Sequence, residues 1–144
     1  MIIDGLWKGE YVYDEYCKVP FKQTTVPFTL SIRQSGLMAM SGGFEGLWQD
    51  DSSISNITAS GNVYGVLKET DLYFVKLYPR TYGYAMDRSF FIGDEPHPEI
   101  HYTGRFWKED IFEGTWRIER TFRKVNGRLC EISESSGLWW IKRM

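Results

Sequence analysis

Cysteine and histidine are scarce in this chain of 144 residues, with two of each. Cys17 and Cys130 stand far apart in sequence, which does not describe a disulfide-stapled miniature fold, and both are read as reduced thiols. His97 and His101 lie in "EPHPEIHYTG". Pro96 and Pro98 bar the helix that would put both rings on one face, and in an extended chain their Cα atoms lie about 13 Å apart. A shared metal site is therefore not expected, and a surface or loop role is the default for both. Excess charge of either sign is also missing, since the formal net charge is −2. Such a balance provides no general attraction to nucleic acid or anionic membranes. No apolar run approaches the roughly 18 residues of a membrane helix. The opening "MIIDGLWKGE" lacks the basic and apolar regions of a secretory signal, so a cytoplasmic location is the expectation, although a trimmed chain would look the same.

Catalytic signatures are equally sparse. Carboxylates pair as Asp50-Asp51, Asp94-Glu95 and Glu109-Asp110. Adjacent residues on extended backbone point to opposite faces, so each pair is read as loop solvation rather than a converging acid and base. The serines have no nucleophile-elbow context. Arg117, Arg120, Arg123, Lys124 and Arg128 form a basic stretch, but Glu113, Glu119 and Glu131 interrupt it, as on a mixed-charge outer sheet face.

Aromatic residues are abundant, at 17% of the chain. The periodicity they follow is two. Trp7, Gly9, Tyr11 and Tyr13 share one face of "GLWKGEYVYD", and Phe28, Leu30 and Ile32 share one face of "PFTLSIRQ". Phe44, Gly46 and Trp48 form the next such set, followed by Ile57, Ala59 and Gly61. "DLYFVKLYP" reads as apolar on both faces. Ile100, Tyr102, Gly104 and Phe106 align, as do Phe112, Gly114, Trp116 and Ile118, and finally Gly137, Trp139 and Ile141. Turn signals fall at 34–36, 60–62, 68–71, 107–110, 125–128 and 133–137, and Asn126-Gly127 is the strongest hairpin signal. A further strand is expected around Ser89–Ile92, between long loops.

Short strands joined by hairpins, with almost no helix, predict an all-β chain. Closing the meander removes exposed edges, so the expected fold is a single antiparallel up-and-down β-barrel spanning residues 1–144 as one domain. Four tryptophans follow a Gly-x-Trp spacing, at Trp7, Trp48, Trp116 and Trp139. Their unequal separations exclude a propeller or solenoid repeat. In a strand, each glycine instead stands beside its indole on one face and leaves it room.

On these residues the chain resembles the calycin β-barrels, the group of lipocalins, fatty-acid-binding proteins and avidins. Gly5-Leu6-Trp7 on the first strand is similar to the lipocalin signature, in which the Trp closes one barrel end. Lipocalins also carry a Thr-Asp-Tyr, which Thr70-Asp71-Leu72-Tyr73 approaches without matching, and an Arg near the end of the chain. The spaced set "GLWKGEYVY", "FEGLWQDD", "ITASG", "LYFVKLYP", "IHYTGRFW", "EGTWRI" and "GLWWIKR" resembles small uncharacterised bacterial proteins of this architecture. The resemblance implies a calycin-like barrel and carries over no biotin-binding or haem-binding residues.

Within such a barrel the inward set is unusually aromatic. Trp7, Tyr11, Phe28, Phe44, Trp48, Phe74, Tyr78, Tyr102, Trp116 and Trp139 are the candidate cavity lining, with Lys76 as the one inward charge. A lysine there needs an anionic partner, from the protein or from a ligand. The expected function is binding of a small apolar or aromatic ligand, without catalysis and without a cofactor. Two alternatives use the same residues: an isomerase or hydrolase-like enzyme with Lys76 or a tyrosine as its polar group, and a dry barrel serving protein–protein contact as a homodimer.

Overall fold

Period-two alternation becomes a ladder of strands in the computed structural model, which describes residues 1–15, 17, 23–34, 36–51, 59–84 and 90–144. The strands are β1 (Gly5–Tyr13), β2 (Thr25–Arg33), β3 (Gly43–Asp50), β4 (Ser60–Lys68), β5 (Asp71–Leu77), β6 (Tyr82–Tyr84), β7 (Phe90–Ile92), β8 (Ile100–Phe106), β9 (Ile111–Ile118), β10 (Thr121–Val125), β11 (Arg128–Ile132) and β12 (Ser135–Arg143). One five-residue helix, α1 (Gly36–Met40), sits between β2 and β3. Eight strands close into an antiparallel barrel in the spatial order β1-β12-β9-β8-β5-β4-β3-β2. Followed along the chain this is an up-and-down meander, with β12 returning to pair with β1. Two hairpins stand outside the ring, β6–β7 between β5 and β8, and β10–β11 between β9 and β12. The architecture is the lipocalin-like barrel that the sequence pattern predicts.

Parity places the side chains. Trp7, Phe28, Phe44, Trp48, Phe74, Tyr102, Trp116 and Trp139 are all buried, while Leu47, Tyr64 and Leu138 on the alternate face are exposed. Asn126 and Gly127 both adopt left-handed backbone (φ 52° and 79°), which turns β10 into β11 with a twist matching the strands. Two expectations change. The 60–62 stretch is not a turn but the start of β4, where Ser60, Gly61 and Asn62 pair with Gln49, Trp48 and Leu47. Gly61 serves close approach there, since a Cβ would lie 2.8 Å from the Leu77 carbonyl oxygen. Ile57 and Ser89 lie outside the described residues. In β5 only Leu72, Phe74 and Lys76 turn fully inward, and Asp71 and Tyr73 are exposed, so the strand has one buried face rather than two.

The glycines beside the tryptophans have a sharper role than sequence parity shows. Gly137 faces Trp116 across the β9–β12 ladder, and Gly114 faces Trp139. Each glycine thus makes room for the indole of the neighbouring strand. A Cβ on Gly137 would lie 2.8 Å from Trp116 Nε1, and one on Gly104 would lie 2.5 Å from Trp139 Cζ2. Through these gaps the indoles reach backbone. Trp116 Nε1–H donates to the Val12 carbonyl at 3.1 Å, and Trp139 Nε1 lies 3.1 and 3.0 Å from the Thr103 and Thr115 carbonyl oxygens. Two large side chains are buried with their polar atoms satisfied.

The two ends of the barrel differ. At one end the connections β4–β5 and β8–β9 are tight, and the N-terminal segment crosses the opening. Trp7 is buried there, donating to the Ile3 carbonyl at 2.9 Å. The Arg143 guanidinium lies 4.5 Å from its ring centroid and donates to the Ile2 and Asp4 carbonyls. The opposite end carries the long connections β1–β2, β3–β4, β5–β8 and β9–β12. There β10 meets the β7–β8 connection: Arg123 Nε donates to the Pro96 carbonyl at 2.9 Å and the Lys124 amide to Glu95 at 3.0 Å.

Replacing Gly114 by alanine tests the glycine role, because the new Cβ would lie 1.9 Å from the Thr103 carbonyl oxygen. Chemical denaturation is expected to show a loss of about 3 kcal/mol, against less than about 0.5 kcal/mol for Leu138→Ala on the exposed face. Equal losses for the two variants would contradict the packing account.

Candidate functional site

Among the described residues one lysine faces the barrel interior, near the end that carries the long connections. β5 alternation turns Lys76 inward with Leu72 and Phe74, and it is 1% exposed. Its ammonium lies 4.0 Å from the Trp48 ring centroid, 4.3 Å from Tyr11, 4.8 Å from Tyr78 and 5.1 Å from Tyr102. Four strands or their continuations thus supply an aromatic box around one cation, an arrangement that attracts positive charge through the ring faces. The box is braced from behind. Phe28 stacks on Trp48 at 3.6 Å, Phe74 stacks on Tyr102 at 4.7 Å, and Trp116 meets Tyr11 edge-on at 5.8 Å.

Rings do not replace hydrogen bonds. Lys76 Nζ and Tyr102 OH are buried side-chain polar atoms with no hydrogen-bond partner. Burial therefore dominates the lysine, lowering its pKa from 10.5 to about 7, with the pull of Asp50 opposing the fall. Burial also pushes the phenols of Tyr11, Tyr78 and Tyr102 well above their ordinary value, and the Asp50 charge adds to each. At neutral pH those hydroxyls remain protonated.

Asp50 is the first correction to the sequence reading, which assigned it to loop solvation. It continues the inward set of Phe44, Gly46 and Trp48 as the last residue of β3, and is 4% exposed. Its carboxylate accepts from Trp48 Nε1–H at 2.8 Å and from the Tyr78 hydroxyl. Parity did apply to the Asp50-Asp51 pair, since Asp51 is exposed. What the sequence reading missed is that β3 extends one residue pair past Trp48. Asp50 thus satisfies the box walls rather than touching Lys76, and balances the ammonium through space.

His97 is the second correction. It lies in the β7–β8 connection, as a loop histidine, but is buried rather than at the surface: it is 8% exposed, edge-on to Tyr78 at 5.6 Å, with Nδ1–H donating to the Pro98 carbonyl at 2.9 Å. Burial lowers its pKa to about 4, so the ring is neutral at pH 7. Its amide also bonds the Tyr78 carbonyl, tying the β5–β8 connection over Lys76. No periodic signal marks a residue set between two prolines. His101 does face outward as expected, with Nδ1 2.9 Å from the Tyr73 hydroxyl.

The eleven residues proposed from sequence are all buried, but they do not form one site. Tyr11, Trp48, Tyr78 and Tyr102 contact Lys76, and Phe28, Phe74 and Trp116 form the layer behind them. Phe44 and Trp139 pack farther along against Phe74, at 6.3 and 5.4 Å. Trp7 belongs to the other end, against Phe112 at 5.7 Å. The basic stretch is spent internally, with Arg117 on Glu119 at 2.9 Å and Arg120 on Glu131 at 3.1 Å. An open groove of about 620 Å³ on the outer face, lined by Tyr73, Arg105 and Glu113 among others, contains none of the eleven. Cys17 and Cys130 are free thiols, the first buried against the Ser136 carbonyl.

Comparison with family models, with curated proteins and with solved structures gave no match for this chain. The chemistry of the interior is therefore the source of functional argument.

Because folding lowers the Lys76 pKa, the unfolded chain binds more protons between about pH 7 and the ordinary lysine range. Stability therefore rises with pH above 7, by up to about 1.4 kcal/mol per pH unit, until the buried tyrosines reverse the trend above about pH 10. Urea titrations across pH 6–10 are expected to show this rise and to show it abolished in Lys76→Met. A wild-type profile flat from 7 to 10 would contradict it.

Proposed function

We propose that this protein binds a small, largely aromatic ligand inside the barrel, with one polar group of the ligand directed at Lys76 and Tyr102. The observation that carries the reading is the pair of unpartnered polar atoms, Lys76 Nζ and Tyr102 OH, in a site otherwise walled by rings. A buried amine and a buried hydroxyl each lose several kcal/mol of hydration, and core-filling residues would avoid that cost. Binding sites, by contrast, pair apolar walls with a few polar groups that fix orientation. Position supports the same reading. Lys76 pairs with Ile100, the first residue of β8, and Tyr102 follows two positions on, so both lie near the end of the barrel that carries the long connections. Planar ring walls favour a flat, conjugated ligand over a flexible acyl chain.

The test uses cinnamyl alcohol, a flat aromatic bearing one hydroxyl. Saturable quenching of tryptophan fluorescence is expected, since Trp48 is a wall of the box. Tyr102→Phe keeps every ring and removes the unpaired hydroxyl, so it is expected to weaken binding about tenfold with little change in stability. Native mass spectrometry of the freshly isolated protein should show the same site carrying a small molecule. Fluorescence that does not respond, together with a mass equal to the bare chain, would sink the reading.

A further inference from the structure

We propose that the ligand class is a conjugated aldehyde, and that Lys76 Nζ captures its carbonyl carbon as an imine. The inference rests on the ligand-binding reading above and specifies its chemistry. Three placements carry it. First, the amine has no acceptor in contact: the interior carboxylate, Asp50, is engaged by Trp48 Nε1–H and the Tyr78 hydroxyl. A lysine kept for structure would instead be paired, because a lone buried ammonium is among the least favourable groups a core can hold. Second, the Tyr102 hydroxyl has no hydrogen-bond partner, and its ring is one wall of the box, with its centroid 5.1 Å from Nζ. Third, Asp50 accepts from the Tyr78 hydroxyl rather than pairing with Lys76, and its charge acts on the lysine through space, where it can balance a protonated imine.

The groups that face Lys76 leave it reactive. Tyr11, Tyr78 and Tyr102 are protonated at neutral pH and His97 is neutral, so Asp50 is the charge that acts on it favourably. An amine with a pKa near 7 presents a large free-base fraction, as nucleophilic lysines in apolar sites do. The step balances with one proton taken from solvent. The Nζ lone pair forms the C–N bond, and the carbonyl π pair moves to oxygen, which Tyr102 stabilises by hydrogen bonding. A proton passes from nitrogen to that oxygen, giving the carbinolamine. That hydroxyl takes up one further proton from solvent, and its C–O bond breaks as nitrogen forms C=N, so the oxygen leaves as water. The product is a protonated imine whose positive charge lies in the same aromatic box that held the ammonium.

The experiment incubates the intact chain with cinnamaldehyde at neutral pH, reduces with cyanoborohydride, and maps the adduct by mass spectrometry. One saturable adduct on Lys76 is expected, formed at least about tenfold faster than on any surface lysine. Lys76→Met should lose that adduct, and Tyr102→Phe should form it about tenfold more slowly while remaining folded. Adducts scattered over surface lysines, or an unchanged yield in Lys76→Met, overturn the proposal. Cinnamyl alcohol, which cannot form an imine, separates the two readings. If it binds while cinnamaldehyde leaves Lys76 unmodified, imine capture fails and ligand binding stands. If neither binds, both fail.

Discussion

Closing eight strands into a ring gives every inward position a share of one narrow interior, and in this chain rings gather around one part of it, among aliphatic neighbours elsewhere. A single cation among them has then to be accommodated without water. The protein supplies four ring faces and a carboxylate at one remove, instead of an ion pair. That choice governs much of what surrounds it: the tyrosines stay protonated, Asp50 is spent on an indole and a phenol, and the lysine is left near the balance point between its two protonation states.

The barrel separates support from chemistry along its axis. Trp7, Arg143 and the N-terminal segment close one end through an indole–guanidinium contact and three backbone carbonyls. Reciprocal glycine and tryptophan pairs on β9 and β12 let neighbouring indoles lie across the ladder and reach sheet carbonyls. Both devices consume polar atoms completely. Toward the other end two buried polar atoms, Lys76 Nζ and Tyr102 OH, remain without a partner. The asymmetry makes it difficult to regard Lys76 as a packing accident.

Much of this was legible before the fold was known, because strand parity is a strict rule. Once Phe74 faces inward, Lys76 must do so, and all eleven residues selected by alternation are buried. Parity also contained Asp50, two positions after Trp48, but a doubled aspartate beside serines reads as a loop, and the strand's extra length was set by pairing with β2 and β4 rather than by local composition. His97 had no comparable signal: its burial comes from a connection folding back over the rim, held by contacts distant in sequence. The glycine roles were half visible. Spacing tied each glycine to the tryptophan of its own strand, whereas register ties it to the indole across the ladder, and register is a property of two strands.

The central claim is that an unpaired, ring-boxed Lys76 sits close to its titration midpoint at physiological pH. The direct measurement is an NMR titration of the protein labelled with 13C at the lysine side chains, following the Lys76 Cε signal and assigning it by its loss in Lys76→Met. The account predicts a midpoint near pH 7, apart from the surface lysines. A Lys76 signal that titrates with the others near 10.5 would contradict it.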